Sequence, residues 1–119
     1  MAMISGMHVI IYSEDAERTR DFLRDVLGFD SVDAGHGWLI FALPPAEVAV
    51  HPEARGGKHE LYLMCDDVAA TVAQLKSKGA EFTKPVTDQG WGLMARLKLP
   101  GAGEIGLYQP KHPTALRAR

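Results

Sequence analysis

The sequence predicts an α+β protein built from two tandem βαβββ modules, spanning about residues 1–54 and 55–119. Three observations carry this. The same order of patterns, β-rich run then amphipathic helix then three short β-rich runs, occurs twice. The offset between halves is nearly constant, with Asp67 lying 52 positions after Asp15 and Gly79 lying 51 after Gly28. Only the short hinge Arg55-Gly-Gly-Lys58 separates the halves, so one domain is expected.

Taken in order, residues 7–12 (MHVIIY) form a β-rich run closed by Ser13-Glu-Asp, residues that start helices. Residues 15–27 place Thr19, Phe22, Leu23, Val26 and Leu27 on one side and Arg18, Asp21, Arg24 and Asp25 largely on the other. That is the stripe of an amphipathic helix, and Gly28 ends it as a C′ residue. Strands are expected at 29–32, 37–43 and 47–51, with Trp38 heading an apolar strand in the core. In the second half, 60–65 reads as a strand and Asp66-Asp67 as a helix start. Val68, Val72 and Leu75 form the helical stripe, and Gly79 the stop. Strands follow at 81–82, 93–99 and 104–108, where Glu104-Ile-Gly-Leu echoes Glu47-Val-Ala-Val. The tail, 112–119, is expected to fray.

Composition narrows the function. A 46% hydrophobic and 24% charged chain is ordinarily globular. Its net charge of −2 argues against nucleic acid or an anionic membrane as partner, because both require a positive field. The longest apolar run, 38–43, falls far short of the ~20 residues of a membrane span. Residues 1–6 lack the basic flank and apolar stretch of a signal peptide, so a cytoplasmic protein is expected. Cys65, the single cysteine, can form no disulfide within the chain, and it shares the apolar side of its strand with Leu61 and Leu63. Gly101-Ala-Gly-Glu-Ile-Gly106 spells G-x-G-x-x-G, but strand-like residues flank it on both sides. It therefore reads as a hairpin turn and not a pyrophosphate loop.

Certain words in this arrangement are distinctive: His8-Val-Ile-Ile-Tyr, Phe22-Leu-Arg-Asp-Val-Leu-Gly-Phe29, Asp66-Asp-Val-Ala-Ala-Thr-Val-Ala-Gln-Leu75, Asp88-Gln-Gly-Trp-Gly92 and Ile105-Gly-Leu-Tyr-Gln-Pro110. Together they resemble the vicinal oxygen chelate superfamily. It includes glyoxalase I, extradiol dioxygenases such as dihydroxybiphenyl dioxygenase, fosfomycin-resistance enzymes and bleomycin-resistance proteins. The resemblance implies the glyoxalase/bleomycin-resistance fold, an open, half-barrel-like curved mixed sheet with a concave pocket. It also implies a divalent metal (iron, manganese, nickel or zinc) held by residues of the first and last strands of the modules.

Carried over residue by residue, the first-strand ligand of the first module is His8. Its counterpart, 52 positions on, is Glu60, with His59 as the alternative if a one-residue bulge intervenes. Alternation supports Glu60, because Leu61, Leu63 and Cys65 would pack under a helix while Glu60, Tyr62 and Met64 face the pocket. The last-strand positions depart from the metal enzymes. They fall on Ala49 and Gly106, which have no donor atom, and Glu47 and Glu104 lie two residues earlier on the same faces. The implied metal site, His8 with Glu60, is therefore incomplete, and no cofactor follows with certainty. Tyr62, Trp91, Glu104 and Tyr108 are expected to line the pocket, Trp91 either as a lid or by packing; His36, His51 and His112 sit in turns or at strand ends.

Two functions follow as expectations. One is a protein that binds a small organic molecule in the concave pocket, in the manner of bleomycin-resistance members. The other is a metal-dependent lyase, isomerase or dioxygenase with His8 and Glu60 as ligands, or a metal-free variant with Glu60 as catalytic base. The resemblance and the free sheet edges of such a module also imply a homodimer, with modules exchanged between chains as one form.

Overall fold

The computed structural model describes residue 3 and residues 7–116; the expectations for residues 1–6, except residue 3, and for 117–119 lie outside them. The elements run α1 (Ala16–Asp25), β1 (Ser31–Asp33), β2 (Leu39–Phe41), β3 (Tyr62–Met64), α2 (Val68–Ser77), β4 (Phe82–Asp88), β5 (Gly92–Lys98) and β6 (Glu104–Pro110). Local chemistry sets the helix ends. The Asp15 side chain accepts from the Arg18 N–H at 3.2 Å, and Asp67 accepts from the Ala70 N–H at 3.0 Å, so each satisfies a first-turn donor. Gly28 and Gly79 follow the helices with positive φ, as glycines beyond a C-cap do.

β3, β6, β5 and β4 form one sheet in that order, with β3 parallel to β6 and the other pairs antiparallel. One face of this sheet carries Leu63, Leu93, Leu97, Ile105 and Leu107. There it packs with Val68 and Leu75 of α2 and Phe22 of α1. On the other face the register aligns Tyr62, Gly106 and Arg96 across three strands, and Met64, Tyr108 and Met94 in the next row. The word spelling G-x-G-x-x-G begins in the hairpin between β5 and β6, as its flanking strands required.

The first half contributes α1 and the separate two-stranded ribbon β1–β2, with Val32 opposite Ile40. Helix α1 is seated on the second half. The Thr19 hydroxyl donates to the Pro100 carbonyl at 2.6 Å, and the Glu14 N–H donates to the Gly101 carbonyl at 2.8 Å.

Several expectations are corrected. Residues 7–12 and 47–51 are not regular strands; the side chains of Met7, Tyr12, Val48 and Val50 are all more than 85% exposed. A β-rich pattern becomes a strand only where another backbone completes its hydrogen bonds. Among the described residues, no ladder forms along either segment. Strands expected at 29–32 and 37–43 shorten to β1 and β2. The expected 81–82 lengthens to β4, whose antiparallel partner β5 supplies the ladder. Trp38 is 65% exposed, outside the core, with the Arg20 guanidinium 5.4 Å from its ring centre. Leu61 is exposed too, since β3 begins one residue later.

Candidate functional site

The polar-facing rows of the β3–β6–β5 sheet converge on three aromatic rings. Tyr62 stands on β3, Tyr108 on β6, and Trp91 in the turn between β4 and β5. All three meet edge to face: Trp91 and Tyr108 have ring centres 5.1 Å apart, Tyr62 and Tyr108 5.7 Å, and Tyr62 and Trp91 5.9 Å. These separations fall in the favourable range for aromatic pairs. Tyr108 is buried, Tyr62 half-buried, and Trp91 40% exposed, so the cluster is rooted in the sheet and opens to solvent.

Glycine makes the floor possible. Gly106 sits opposite Tyr62 in the parallel pair, and the Tyr62 ring lies across it. A Cβ at position 106 would fall on the ring, against Cδ1 and Cε1. The last-strand position that the family resemblance marks for a carboxylate is thus covered here by a phenol ring. Arg96, the next residue in the row, lays its guanidinium 5.8 Å from the Tyr62 ring centre.

The turn that carries Trp91 is tied by hydrogen bonds. Asp88 Oδ1 accepts from the Gly90 N–H at 2.9 Å, and Asp88 Oδ2 accepts from Lys111 Nζ at 2.6 Å. The Lys111 N–H in turn donates to the Trp91 carbonyl at 2.9 Å. These bonds to Lys111 and the Gly90 N–H hold the Asp88 carboxyl below its ordinary range. Beyond Lys111 the chain folds back over the cluster: His112 Nε2 lies 3.4 Å from the Tyr108 hydroxyl, and the Ala115 N–H donates to Glu47 Oε2 at 2.6 Å. The tail through 115 thus contacts Tyr108 and Glu47, and His112 is half-buried against Tyr108.

At the other end, the Tyr62 hydroxyl donates to Glu60 Oε2 at 2.7 Å, and Lys58 Nζ lies 3.6 Å from Glu60 Oε1. The bond from Tyr62 lowers the Glu60 pKa; burial opposes it, and the Lys58 charge lowers it further. The same bond, with burial second, raises the Tyr62 phenol. A folded phenol pKa raised in this way contributes stability below the unfolded value, near 10, that is lost as pH rises through the folded value. Ultraviolet difference titration is expected to show one tyrosine ionising later in wild type than in Glu60→Gln. Coincident curves would dissolve this link.

The residues marked out by sequence are only partly gathered. Tyr62, Trp91 and Tyr108 form one cluster, and Glu60 joins it through the Tyr62 hydroxyl. Glu104 faces Arg96 at 3.9 Å and accepts from the Thr83 hydroxyl. His8 and His59 are exposed, and among the described residues neither bonds to Glu60 or Glu104. Among the same residues no three His, Cys, Asp or Glu side chains are grouped to hold a metal ion. This donor set does not fit such an ion, because Gly106 offers no donor and Glu60 is engaged by Tyr62 and Lys58. Cys65 packs against the core, and burial pushes its thiol pKa up, away from the nucleophilic thiolate.

A crevice of about 640 Å³ lies elsewhere, between Tyr12–Glu14 and the β5–β6 hairpin. It is the seam where α1 docks. Its polar groups serve that docking, Ser13 Oγ meeting Thr19 and the Asp15 N–H. We place the candidate site at the aromatic cluster, where side chains of differing chemistry converge.

The sequence profile of the Glyoxalase/Bleomycin resistance protein/Dioxygenase superfamily matches residues 7–101. The chain belongs to this superfamily. Among curated proteins, the glyoxalase-superfamily chain is similar to the uncharacterized protein YetH of Bacillus subtilis (strain 168), with 28% identity over 103 residues, 76% of this chain and 85% of YetH. Among solved structures it is similar to TnmS3, an antibiotic binding protein from Streptomyces sp. CB03234. The TM-score there is 0.68 at 29% identity, covering 93% of this chain and all of TnmS3. A superfamily member from Sphaerobacter thermophilus DSM 20745 matches with a TM-score of 0.63 at 26% identity, covering 91% and 99% of the two chains. Members of the superfamily often use a divalent metal. Arg96 and His112 are the site residues that sequence reasoning missed. Arg96 was legible by parity, two residues from Met94 on β5, whereas His112 depends on the tail folding back.

Proposed function

We propose that this superfamily member binds a small planar organic molecule on the Tyr62–Trp91–Tyr108 floor. The observation that carries the reading is the Tyr62 ring lying over Gly106, which puts an apolar, aromatic surface where a metal ligand would stand. The solved antibiotic binding protein TnmS3, similar over nearly the whole chain, supports the same class of function. Aromatic rings supply large contact area at little conformational cost.

The test is equilibrium dialysis against acridone, a neutral planar three-ring compound. Saturable binding is expected, weakened at least tenfold, or about 1.4 kcal/mol, by Trp91→Ala and by Tyr62→Ala. Binding untouched by both substitutions would remove the site from this face.

The chain acts as a homodimer on this reading. Its surface is 9299 Å², against about 6,300 Å² expected for a folded monomer of this mass. Large apolar side chains of the first half are exposed, Met7, Tyr12, Val32, Trp38, Val48 and Val50 among them. A second copy laid along residues 7–12 and 47–51 would complete their backbone pairing. Light scattering is expected to give twice the chain mass of 13.0 kDa; a monomer at micromolar concentration would refute it. The described residues hold no helix long and apolar enough to cross a membrane.

A further inference from the structure

Resting on that binding site, a second feature of the same face bears on the charge of its ligand. The row that holds Tyr62 and Gly106 runs on through Arg96 of β5 to Lys84 of β4, its partner in register. Opposite residues of an antiparallel pair project from one face only a few ångströms apart, and like charges placed there repel. The sheet thus carries a guanidinium and an ammonium side by side. Its own carboxylates leave that repulsion standing. All fifteen acidic side chains of the chain lie among the described residues, and Lys84 pairs with none of them. Arg96 faces Glu104 at 3.9 Å, beyond hydrogen-bond reach. Glu104 also accepts from the Thr83 hydroxyl, and Glu60 is engaged by Tyr62 and Lys58. Around this row three cations, Lys58, Lys84 and Arg96, meet two carboxylates, and one positive charge is in excess. At the Trp91 turn, by contrast, Lys111 is matched by Asp88 at 2.6 Å.

The two cations are also within reach of a ligand on the floor. Arg96 is half-buried, with its guanidinium 5.8 Å from the Tyr62 ring centre. Among the described residues no buried side-chain nitrogen lacks a partner, so the Arg96 N–H groups without an acceptor open to the surface of the floor. Lys84 is exposed on the edge strand β4. A guanidinium presents paired donors that match the two oxygens of a carboxylate, and a lysine beside it adds charge on a flexible stem. Tyr62 belongs both to the aromatic cluster and to this row, so rings resting on the cluster bring a substituent to Arg96. A neutral ligand would leave the two like charges as they are, and a cationic one would add a third. We infer that the ligand is a planar aromatic acid, its rings on Tyr62 and Trp91 and its carboxylate held by Arg96 with Lys84 beside it.

Three probes of similar ring size test this on the full chain by equilibrium dialysis at low ionic strength: acridone-2-carboxylate as anion, acridone as its neutral parent and proflavine as cation. The carboxylate is expected to bind about tenfold tighter than acridone, and proflavine no tighter than acridone, as charge-assisted bonds to a guanidinium would have it. Within each variant the readout is the ratio of carboxylate to acridone affinity, which cancels any change in the aromatic floor itself. Arg96→Gln is expected to cut that ratio about fivefold or more and Lys84→Gln about twofold, the smaller figure for an exposed charge. Lys98→Gln removes the same charge from the same strand, but Lys98 is matched by Glu81 at 3.3 Å, and this variant is expected to leave the ratio as it is. A carboxylate no tighter than acridone, a ratio indifferent to Arg96→Gln, or one cut equally by Lys98→Gln would overturn the inference while acridone binding upheld the site. Failure of acridone to bind would overturn the site reading and this inference with it.

Discussion

Gly106→Ala is expected to destabilise the protein by about 1–3 kcal/mol, the usual cost of forcing atoms into a packed site, and to abolish acridone binding. The added methyl would occupy the position of the Tyr62 ring atoms Cδ1 and Cε1, so the ring must swing off the floor. In moving, it would lose its edge-to-face contacts with Trp91 and Tyr108 and its hydroxyl bond to Glu60. Urea denaturation reads the stability and dialysis the binding. A Gly106→Ala variant with wild-type values in both would show that Tyr62 does not lie where the floor requires it. The paired variant Gly106→Ala/Tyr62→Ala is expected to regain stability relative to Gly106→Ala, because the clash is gone, and still fail to bind.

The second large effect concerns the opposite face of the same sheet. Leu97→Ala is expected to cost about 2–5 kcal/mol, the range for removing a fully buried leucine and leaving a cavity. Leu97 is 0% exposed, on the central strand β5, with Ile105 and Phe82 as its neighbours in register on either side. It joins the core that α1 and α2 share. With domain stabilities of about 5–15 kcal/mol, such a loss would move the urea midpoint by a large fraction of its value. A shift no larger than that of a surface substitution would place the core elsewhere.

Which features were legible in the sequence follows from the range of the forces that set them. Both helices were legible because caps, stripes and stops act within a few residues: Asp15 and Asp67 cap, and Gly28 and Gly79 follow. The strands of the second half were legible in order, and their lengths followed from pairing with each other. Residues 7–12 and 47–51 carry as much β-forming character as β3. Yet their hydrogen bonds need a backbone that one described chain does not bring alongside, and no local pattern reveals that. Trp38 illustrates the same limit, since an apolar run names a strand but not what covers it. At the site, Tyr62, Trp91 and Tyr108 were marked by residue type and parity. Their convergence depends on the register that sets Tyr62 opposite Gly106, a long-range fact. Glu47 was noticed as a displaced carboxylate, but its bond to the Ala115 N–H comes from a tail expected to fray.

The docking of α1 on the β5–β6 hairpin also bears on how the two halves relate. A side chain at Gly101 would place its first carbon 2.6 Å from Ser13 Oγ and 3.0 Å from the Asp15 nitrogen, at a φ of +78° that favours glycine. Aligning Glu47 with Glu104, as the echo between halves suggests, puts Pro44 where Gly101 stands. Proline fixes φ near −65° and fills the space that the incoming helix end needs. The seat therefore exists in one half, and in this structure the plug comes from the other. Gly101 and residues 13–15 are complementary parts of one joint, and two copies of either half joined in tandem would lack one of them.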